Sequence, residues 1–461
     1  MDFILRQNLL NVFVEGTLTV HVSPENIDSH QKSIYNIHHD YAIWQAETLS
    51  CGTVSKKMFC QISKYREEEN MKLRQWKKAA SLVIASVIAT AMLAGCGSGQ
   101  SGSDTIRLGA NLEMTGGNAT FGGSAANGAK LAIKEVNSKG GVLGKQLSLV
   151  IADNRSEASE AANAMQKLAT QDKVSAIIAP IASSSVIAGA QVNQDNKILA
   201  ISPTASNPKV TVDPATGKVR DYIFRAAFID PFQGSVMANF AAKSLQAKTA
   251  ALYIDNSSDY AKGLGQFFKE TFVKNGGVIV SEEGYLQKDT DFKATLTKIK
   301  SKNPDVVFAP GYYQEVGMII KQSRELGITV PFLGGDGWDS AKLPEIAGAQ
   351  ALNNSFFSNH YSPDDNSAAV KNFVEAYKKE YGQTPDAFAA LSYDATMMVI
   401  EAMKRANSAD PVKVKDELSK TKDYAAVSGQ ITLNATHDAV KSAVIVEMKD
   451  GKQTFREKVN P

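Results

Sequence analysis

The chain is 461 residues long, 43% hydrophobic and 21% charged, with 50 Lys and Arg against 48 Asp and Glu for a formal net charge of +2. That length allows two or three domains with cores of their own, and the composition is that of an ordinary soluble protein. The near-neutral balance, with no basic cluster beyond residue 78, excludes the electrostatic footprint of a nucleic-acid binder.

Residues 1–70 hold four of the six histidines (His21, His30, His38, His39) and two of the three cysteines (Cys51, Cys60). Their spacings match no zinc pattern and the stretch lacks sustained periodicity, so it reads as an extension without a packed core. A secretory signal starts afresh at Met71, with Lys72, Arg74, Lys77 and Lys78 ahead of an apolar run over 79–93. Signals stand at N-termini, and residues 66–69 (Arg-Glu-Glu-Glu) can be encoded by purines alone, as a ribosome-binding site would be. Translation is therefore expected to start at Met71, with 1–70 a misassigned or unstructured extension.

The apolar run, about 15 residues, falls short of the roughly 20 a spanning helix needs, and it ends in Leu93-Ala94-Gly95-Cys96. That ending resembles the bacterial lipobox. The resemblance implies a signal over 71–95, lipidation of Cys96, and membrane attachment through the N-terminal lipid alone. Residues 96–103 then form a Gly/Ser tether of roughly 15 Å. No cysteine follows Cys96, so the folded part has neither a disulfide nor a thiol nucleophile.

From residue 104 the hydrophobic period alternates between 2 and 3.6. Ile106, Leu108, Ala110 and Leu112 mark a strand, and Ala125, Ala129, Ala132, Ile133 and Val136 a helical stripe stopped at Gly140-Gly141. Strands over 147–152, 174–179 and 198–201 alternate with helices over 157–171 and 184–194. This βαβ alternation implies a parallel sheet with ligand groups in the loops at the strands' carboxyl ends. A Pro-, Thr- and Asp-rich break over 202–221 leads to a short extended crossing at 222–226. A second α/β unit then follows, with strands over 248–254, 278–285, 305–309 and 331–333 and helices over 259–274, 291–302 and 314–326. Helices over 367–381, 387–406 and 412–419 and closing strands over 430–433, 442–448 and 453–459 make no third domain, because the helices lack a sheet of their own.

Enzyme motifs are missing. Gly144-Lys145 is followed by Gln146 and is not a phosphate loop, and there is no G-x-S-x-G elbow, no His-Glu-x-x-His and no dinucleotide fingerprint. His360 and His437, the histidines of the folded part, read as surface or turn residues rather than bases. Recognition chemistry is visible instead. The strand over 174–179 runs into Pro180-Ile181-Ala182 and then Ser183, Ser184 and Ser185, which open a helix and offer amides and hydroxyls to an anion such as a carboxylate. A plain N-cap accounts for one of these serines equally well. Thr204 and Ser206 follow the next strand. In the second unit Gly334-Gly335-Asp336-Gly337-Trp338 leaves Asp336 reachable, either as a turn cap or as the counter-charge for a cation. An anion site in one unit and an acid in the other would hold the two ends of a zwitterion.

The lipobox, Leu112-Glu113-Met114-Thr115-Gly116, the helix end over 136–141, the serine start, Ile201-Ser202-Pro203 and Asp259-Tyr260-Ala261-Lys262-Gly263 together resemble the branched-chain amino-acid-binding receptors of ABC transporters, over essentially all of 104–461. The resemblance implies an α/β fold of two doubly wound parallel-sheet lobes joined by a three-strand hinge, the type I periplasmic binding protein or Venus flytrap. Lobe 1 would take 104–228 plus 357–437 and lobe 2 would take 229–356 plus 438–461, with crossings near 225–230, 354–358 and 435–440. It also implies that Ser183, with its amide, and Ser206 meet a ligand carboxylate, Ser184 of the same helix start being a further ligand-binding candidate. The Thr204 carbonyl and Ser206 would take the ammonium, with Asp336 its counter-charge. Tyr260 is similar to a cleft tyrosine, Phe121, Tyr312 and Phe388 complete the wall, and Phe121, Ala182 and Trp338 shape the side-chain pocket. No cofactor or metal is implied. The expected partners are a small amino acid and ABC permease subunits, for a monomer anchored on the outer face of the cell membrane. A lipid-anchored sensor or cell-wall regulator of the same fold is the alternative.

Overall fold

A computed structural model describes residues 105–461. The expected extension, signal, lipidated Cys96 and tether lie outside the described residues.

The first half begins with β1 (Thr105–Leu112), whose inward residues follow the period of two, and α1 (Ala119–Ser138), which buries the stripe from Phe121 to Val136. It continues with β2 (Gln146–Asp153), α2 (Ala158–Thr170), β3 (Ala176–Ile178), α3 (Ser183–Asn196), β4 (Ala200–Ser202) and β5 (Ile223–Arg225). On α2 the buried residues Ala161, Ala164, Met165 and Leu168 fall at the i, i+3, i+4, i+7 spacing of a one-faced helix. The five strands form an all-parallel sheet in the order β2-β1-β3-β4-β5.

The second half runs through α4 (Asp230–Asn239), β6 (Thr249–Asp255), α5 (Asp259–Lys274), β7 (Val278–Tyr285), α6 (Lys293–Ser301), β8 (Val306–Phe308), α7 (Tyr313–Glu325), β9 (Phe332–Gly334), α8 (Lys342–Ala347) and β10 (Ser355–Asn359). The chain then adds α9 (Ala368–Tyr381), α10 (Ala387–Ala406) and α11 (Pro411–Leu418), the short strands β11 (Tyr424–Ala426), β12 (Gly429–Leu433) and β13 (Ala439–Val440), and the hairpin β14 (Ala443–Lys449) and β15 (Lys452–Val459). The second sheet has seven strands in the order β15-β14-β10-β9-β8-β6-β7, with β7 to β10 parallel and the hairpin antiparallel at the edge. The segments β11, β12 and β13 pair as a small separate sheet.

The late helices are accounted for by this layout. Helix α10 lies so close on α1 that a Cβ on Gly128 would sit 2.1 Å from the Ala389 carbonyl oxygen, so the crossing requires glycine there. The hairpin, by contrast, returns to the second sheet. Among the described residues no helix is long and apolar enough to cross a membrane.

Three expectations change. Residues 223–225, within the stretch expected as a short extended crossing over 222–226, pair with β4 as an edge strand of the first sheet. Residues 355–359, where a crossing was placed, form an interior strand between β9 and β14. Helix α4 is not evident in the sequence because Pro231 and Gly234 fall inside it. Pro231 occupies a first-turn position, where its missing N–H costs nothing.

In both sheets the order reverses beside the first strand of the half, between β1 and β3 and between β6 and β8. Such a switch point opens a crevice at the carboxyl ends of the strands. The loops that carry the site leave the sheets there.

Candidate functional site

The loop after β3 is held by a buried acid. Glu113, just past β1 and fully buried, accepts the Ile181 amide on Oε2 and the Ala182 amide on Oε1, both at 3.1 Å. Burial pushes the Glu113 carboxyl up to about 7, against the pull of those same amides. The loop after β4 is knitted to it: Ser202 Oγ donates to the Pro180 carbonyl at 2.8 Å, Thr204 Oγ1 to the Ile181 carbonyl at 3.1 Å, and Ser183 Oγ accepts the Asn207 amide at 3.2 Å. Among the described residues the amides of Ser183, Ser184 and Ser206 have no hydrogen-bond partner, while the buried Ser206 hydroxyl lies beside the Asp230 carboxyl. Buried donors without acceptors are costly, and a carboxylate is the acceptor that fits a helix start.

Arg225 braces these loops from behind. Its buried guanidinium meets Asp438 at 2.7 Å and donates to the carbonyls of Ala205 at 2.6 Å and Asn207 at 2.9 Å, and to Thr211 Oγ1 at 2.9 Å.

The opposite wall centres on Asp336, only 4% exposed. Its Oδ1 accepts from Gln233 Nε2 at 2.8 Å and from the Tyr260 hydroxyl at 2.9 Å, and its Oδ2 faces His360 Nε2 at 3.3 Å. Burial alone would raise this carboxyl. The His360, Gln233 and Tyr260 contacts more than offset that and hold it below the ordinary carboxylate range. His360 is itself buried and stacked on Phe228 at 3.6 Å between ring centres, and burial lowers its imidazole pKa. Close by, burial pushes the Asp230 carboxyl up to about 8, the neighbouring Ser206 hydroxyl and Arg225 pulling it down and Asp336 adding repulsion.

Ile181, Ser183, Thr204, Tyr260, Tyr312, Asp336, Gly337 and Phe388 line a narrow cavity of about 10 Å³, room for little more than one water molecule. Tyr260 and Tyr312 stack at 5.5 Å, and Phe121 stacks on Phe388 at 3.9 Å. The cavity thus has amide donors at one end, a carboxylate at the other and aromatic faces between.

Six of the eleven sequence-derived binding residues line this space: Ser183, Thr204, Tyr260, Tyr312, Asp336 and Phe388. The other five do not. Phe121 stands a layer behind, against Phe388 and Tyr312. The Ala182 amide is taken by Glu113, and Ser206 is buried beside the cavity rather than on its surface. Ser184 turns to Asp259 in the facing helix, donating to its Oδ2 at 3.2 Å and accepting its amide at 3.0 Å. Trp338 points into the second sheet, where its Nε1 donates to the Ala309 carbonyl at 3.2 Å and its ring covers Gly334. The reason is local geometry. Residues 336–338 form a 3₁₀ turn, so with three residues per turn the side chains of 336 and 338 leave in different directions.

The sequence reading also placed His360 on the surface, whereas it is a buried partner of Asp336. Glu113, Gln233, Asp230 and the Arg225–Asp438 pair were not singled out for the site. Glu113 stood in a quoted motif, and the others gave no local signal.

Residues 105–453 match the model of a family described as periplasmic binding protein. A Leu/Ile/Val-binding protein homolog 1 from Brucella suis is 30% identical over 336 residues, which cover 72% of this chain and 87% of that protein. The branched-chain amino acid transporter substrate-binding protein LivJ of Streptococcus pneumoniae, solved with isoleucine, is 40% identical with a TM-score of 0.73, covering 77% of this chain and 100% of that one. The leucine-binding protein LivK of Thermotoga maritima is 39% identical with a TM-score of 0.73, covering 77% and 99%. With the family model spanning well over half its length and relatives that bind rather than transform small molecules, this chain belongs to the periplasmic binding protein family and is a binding protein, not an enzyme.

Proposed function

We propose that this protein is the receptor of an ABC importer and captures an amino acid with an apolar side chain, the branched-chain amino acids first. The observation that carries the reading is the pairing of unpartnered amides at Ser183 and Ser206 with the buried carboxylate of Asp336 across an aromatic-walled cavity. A zwitterion would give its carboxylate to the serine side and its ammonium to Asp336, with the Thr204 carbonyl as a second acceptor. Tyr260, Tyr312 and Phe388 would enclose the side chain, and no charged group lines the cavity apart from Asp336.

In this reading 104–228 plus 357–437 and 229–356 plus 438–461 act as two lobes that close on the ligand, the hinge motion for which periplasmic binding proteins are known. Ligand held by one lobe gains the other lobe's contacts only on closure, so its differential affinity drives the closed state, which the permease then reads. Cys96 would carry the lipid that keeps the protein at the outer face of the membrane, as a monomer. The leucine- and isoleucine-binding relatives support the ligand class, and the sequence Leu93-Ala94-Gly95-Cys96 supports the anchor.

Calorimetric titration of the purified protein, stripped of ligand by unfolding and refolding, tests this with leucine, isoleucine and valine. A saturable one-to-one heat with at least one of them is expected. Silence with all three would overturn the branched-chain choice, and silence with the remaining aliphatic and aromatic amino acids as well would overturn the amino-acid reading.

A further inference from the structure

One cluster at the mouth of the cleft takes no part in the cavity. Helices α3 and α5 follow facing strands of the two sheets, and their N-termini meet there. Each carries partial positive charge, so bringing the two together is unfavourable unless an anion lies between them. Asp259, the first residue of α5, is that anion. Its carboxylate takes the Ser184 hydroxyl at 3.2 Å, while its own backbone N–H, one of the orphan donors of α5, is satisfied by the same Ser184 oxygen at 3.0 Å. Ser258 caps α5 from within its own half by accepting the Ala261 amide, and a serine on the other half satisfies the first amide that this cap leaves over. Asn207 Nδ2 adds a bond to the Asp259 carbonyl at 2.7 Å, and Lys209 and Lys262 approach the carboxylate from outside at 3.5 Å. Neither Ser184 nor Asp259 lines the cavity, yet Ser184 is directly joined to Ser183, which does.

We propose that Ser184 and Asp259 form a closure latch, positioning residues that set how long the cleft stays shut without touching the ligand. The proposal rests on the two-lobe receptor reading above. Opening the cleft would leave Ser258 capping α5 but take the Ser184 oxygen from the Asp259 amide and the Ser184 hydroxyl from its carboxylate, so the latch favours the closed form with or without ligand. It converts part of the affinity into a term that any ligand of the right size receives, and leaves selectivity to the cavity wall.

The test compares Ser184→Ala, Asp259→Ala, their combination and Ser184→Thr in the full chain, by stopped-flow release of leucine, isoleucine and valine. Each alanine variant is expected to release ligand about 10-fold faster, the scale of one or two lost hydrogen bonds, with an unchanged association rate. The double variant should be no worse than the worse single one, and Ser184→Thr, which keeps the hydroxyl, should restore slow release. Hydrogen exchange of the ligand-free chain supplies a second readout: peptides over 256–265 should exchange several-fold faster in both alanine variants, with peptides over β1 and β6 unchanged. A loss confined to Ser184→Ala, with Asp259→Ala silent, would mean that Ser184 contacts the ligand and would overturn the latch. Unchanged release would do the same. If none of the three amino acids binds, the branched-chain choice fails by itself, and the exchange experiment still decides the latch: unchanged exchange over 256–265 overturns it.

Discussion

On the side of the five-stranded sheet the cleft presents donors that nothing in the described chain accepts, while on the side of the seven-stranded sheet it presents an acid whose oxygens already have three partners. The first wall is incomplete until an anion arrives. The second is complete in itself, its charge fixed by Gln233, Tyr260 and His360 and its pKa held low enough to stay ionised. In the proposed binding mode a zwitterion would meet these walls in different ways: at the amides it would supply a missing acceptor, and at Asp336 it would add one more donor to a preorganised carboxylate. The contrast predicts that the serine wall is sensitive to how its loops are held, and the aspartate wall to the charge itself.

Removing the brace of the serine wall should have the largest effect. Arg225→Met leaves Asp438 buried and unpaired and frees the Ala205 and Asn207 carbonyls, so unfolding in denaturant should show a loss of about 3 to 5 kcal/mol. A variant as stable as the parent would show that the brace is dispensable.

Next comes the charge of the aspartate wall. Asp336→Ala strands the ligand's ammonium, and calorimetry with leucine should show affinity falling by about 2 to 5 kcal/mol. An unchanged dissociation constant would remove Asp336 from the site.

The acid that pins the serine loop has a smaller and pH-dependent effect. Glu113→Gln leaves one of the Ile181 and Ala182 amides without an acceptor, at a cost of about 1 to 3 kcal/mol. Because burial raises the Glu113 pKa to about 7, the folded chain binds its proton more tightly than the unfolded chain does. The stability this group contributes is therefore full below the ordinary carboxylate pKa and is lost as pH rises through about 7. Melting curves from pH 5 to pH 8 should fall less steeply in the glutamine variant. Equal slopes would mean that Glu113 is not titrating there.

The smallest change concerns a single hydroxyl. Ser183→Ala keeps the amide that faces the ligand and loses only the acceptor for the Asn207 amide, so leucine affinity should drop by about 0.5 to 1.5 kcal/mol. A much larger loss would show that the hydroxyl, not the helix start, carries the anion site.

Much of the serine wall was legible in the sequence because its signal is contiguous: an apolar strand, a proline and three serines at a helix start specify both a loop and its chemistry. Asp336 was legible through its flanking glycines. Trp338, two residues on, was misjudged because proximity in sequence does not fix direction, and a 3₁₀ turn sends it into the core. His360 was misjudged because a lone histidine carries no pattern, and its burial depends on Phe228 and Asp336, which the fold brings from distant segments. The same holds for the Arg225–Asp438 pair. The α/β alternation itself was clear from periodicity, as was the strand over 430–433, whereas α4, with proline and glycine inside it, and the short strands β11 and β13 on either side of β12 were too brief or too broken to register.

The return of the last hairpin to the second sheet bears on how the chain folds. Strand β10 gains its outer neighbour only from β14, and α1 is covered by α10, some 260 residues further along. Neither half can therefore be finished by local sequence, and an N-terminal fragment ending before β14 would expose an unpaired strand edge in one sheet. Contacts of such long range make folding slow and cooperative. The nascent chain accordingly leaves the edge of its second sheet unpaired until β14 is made.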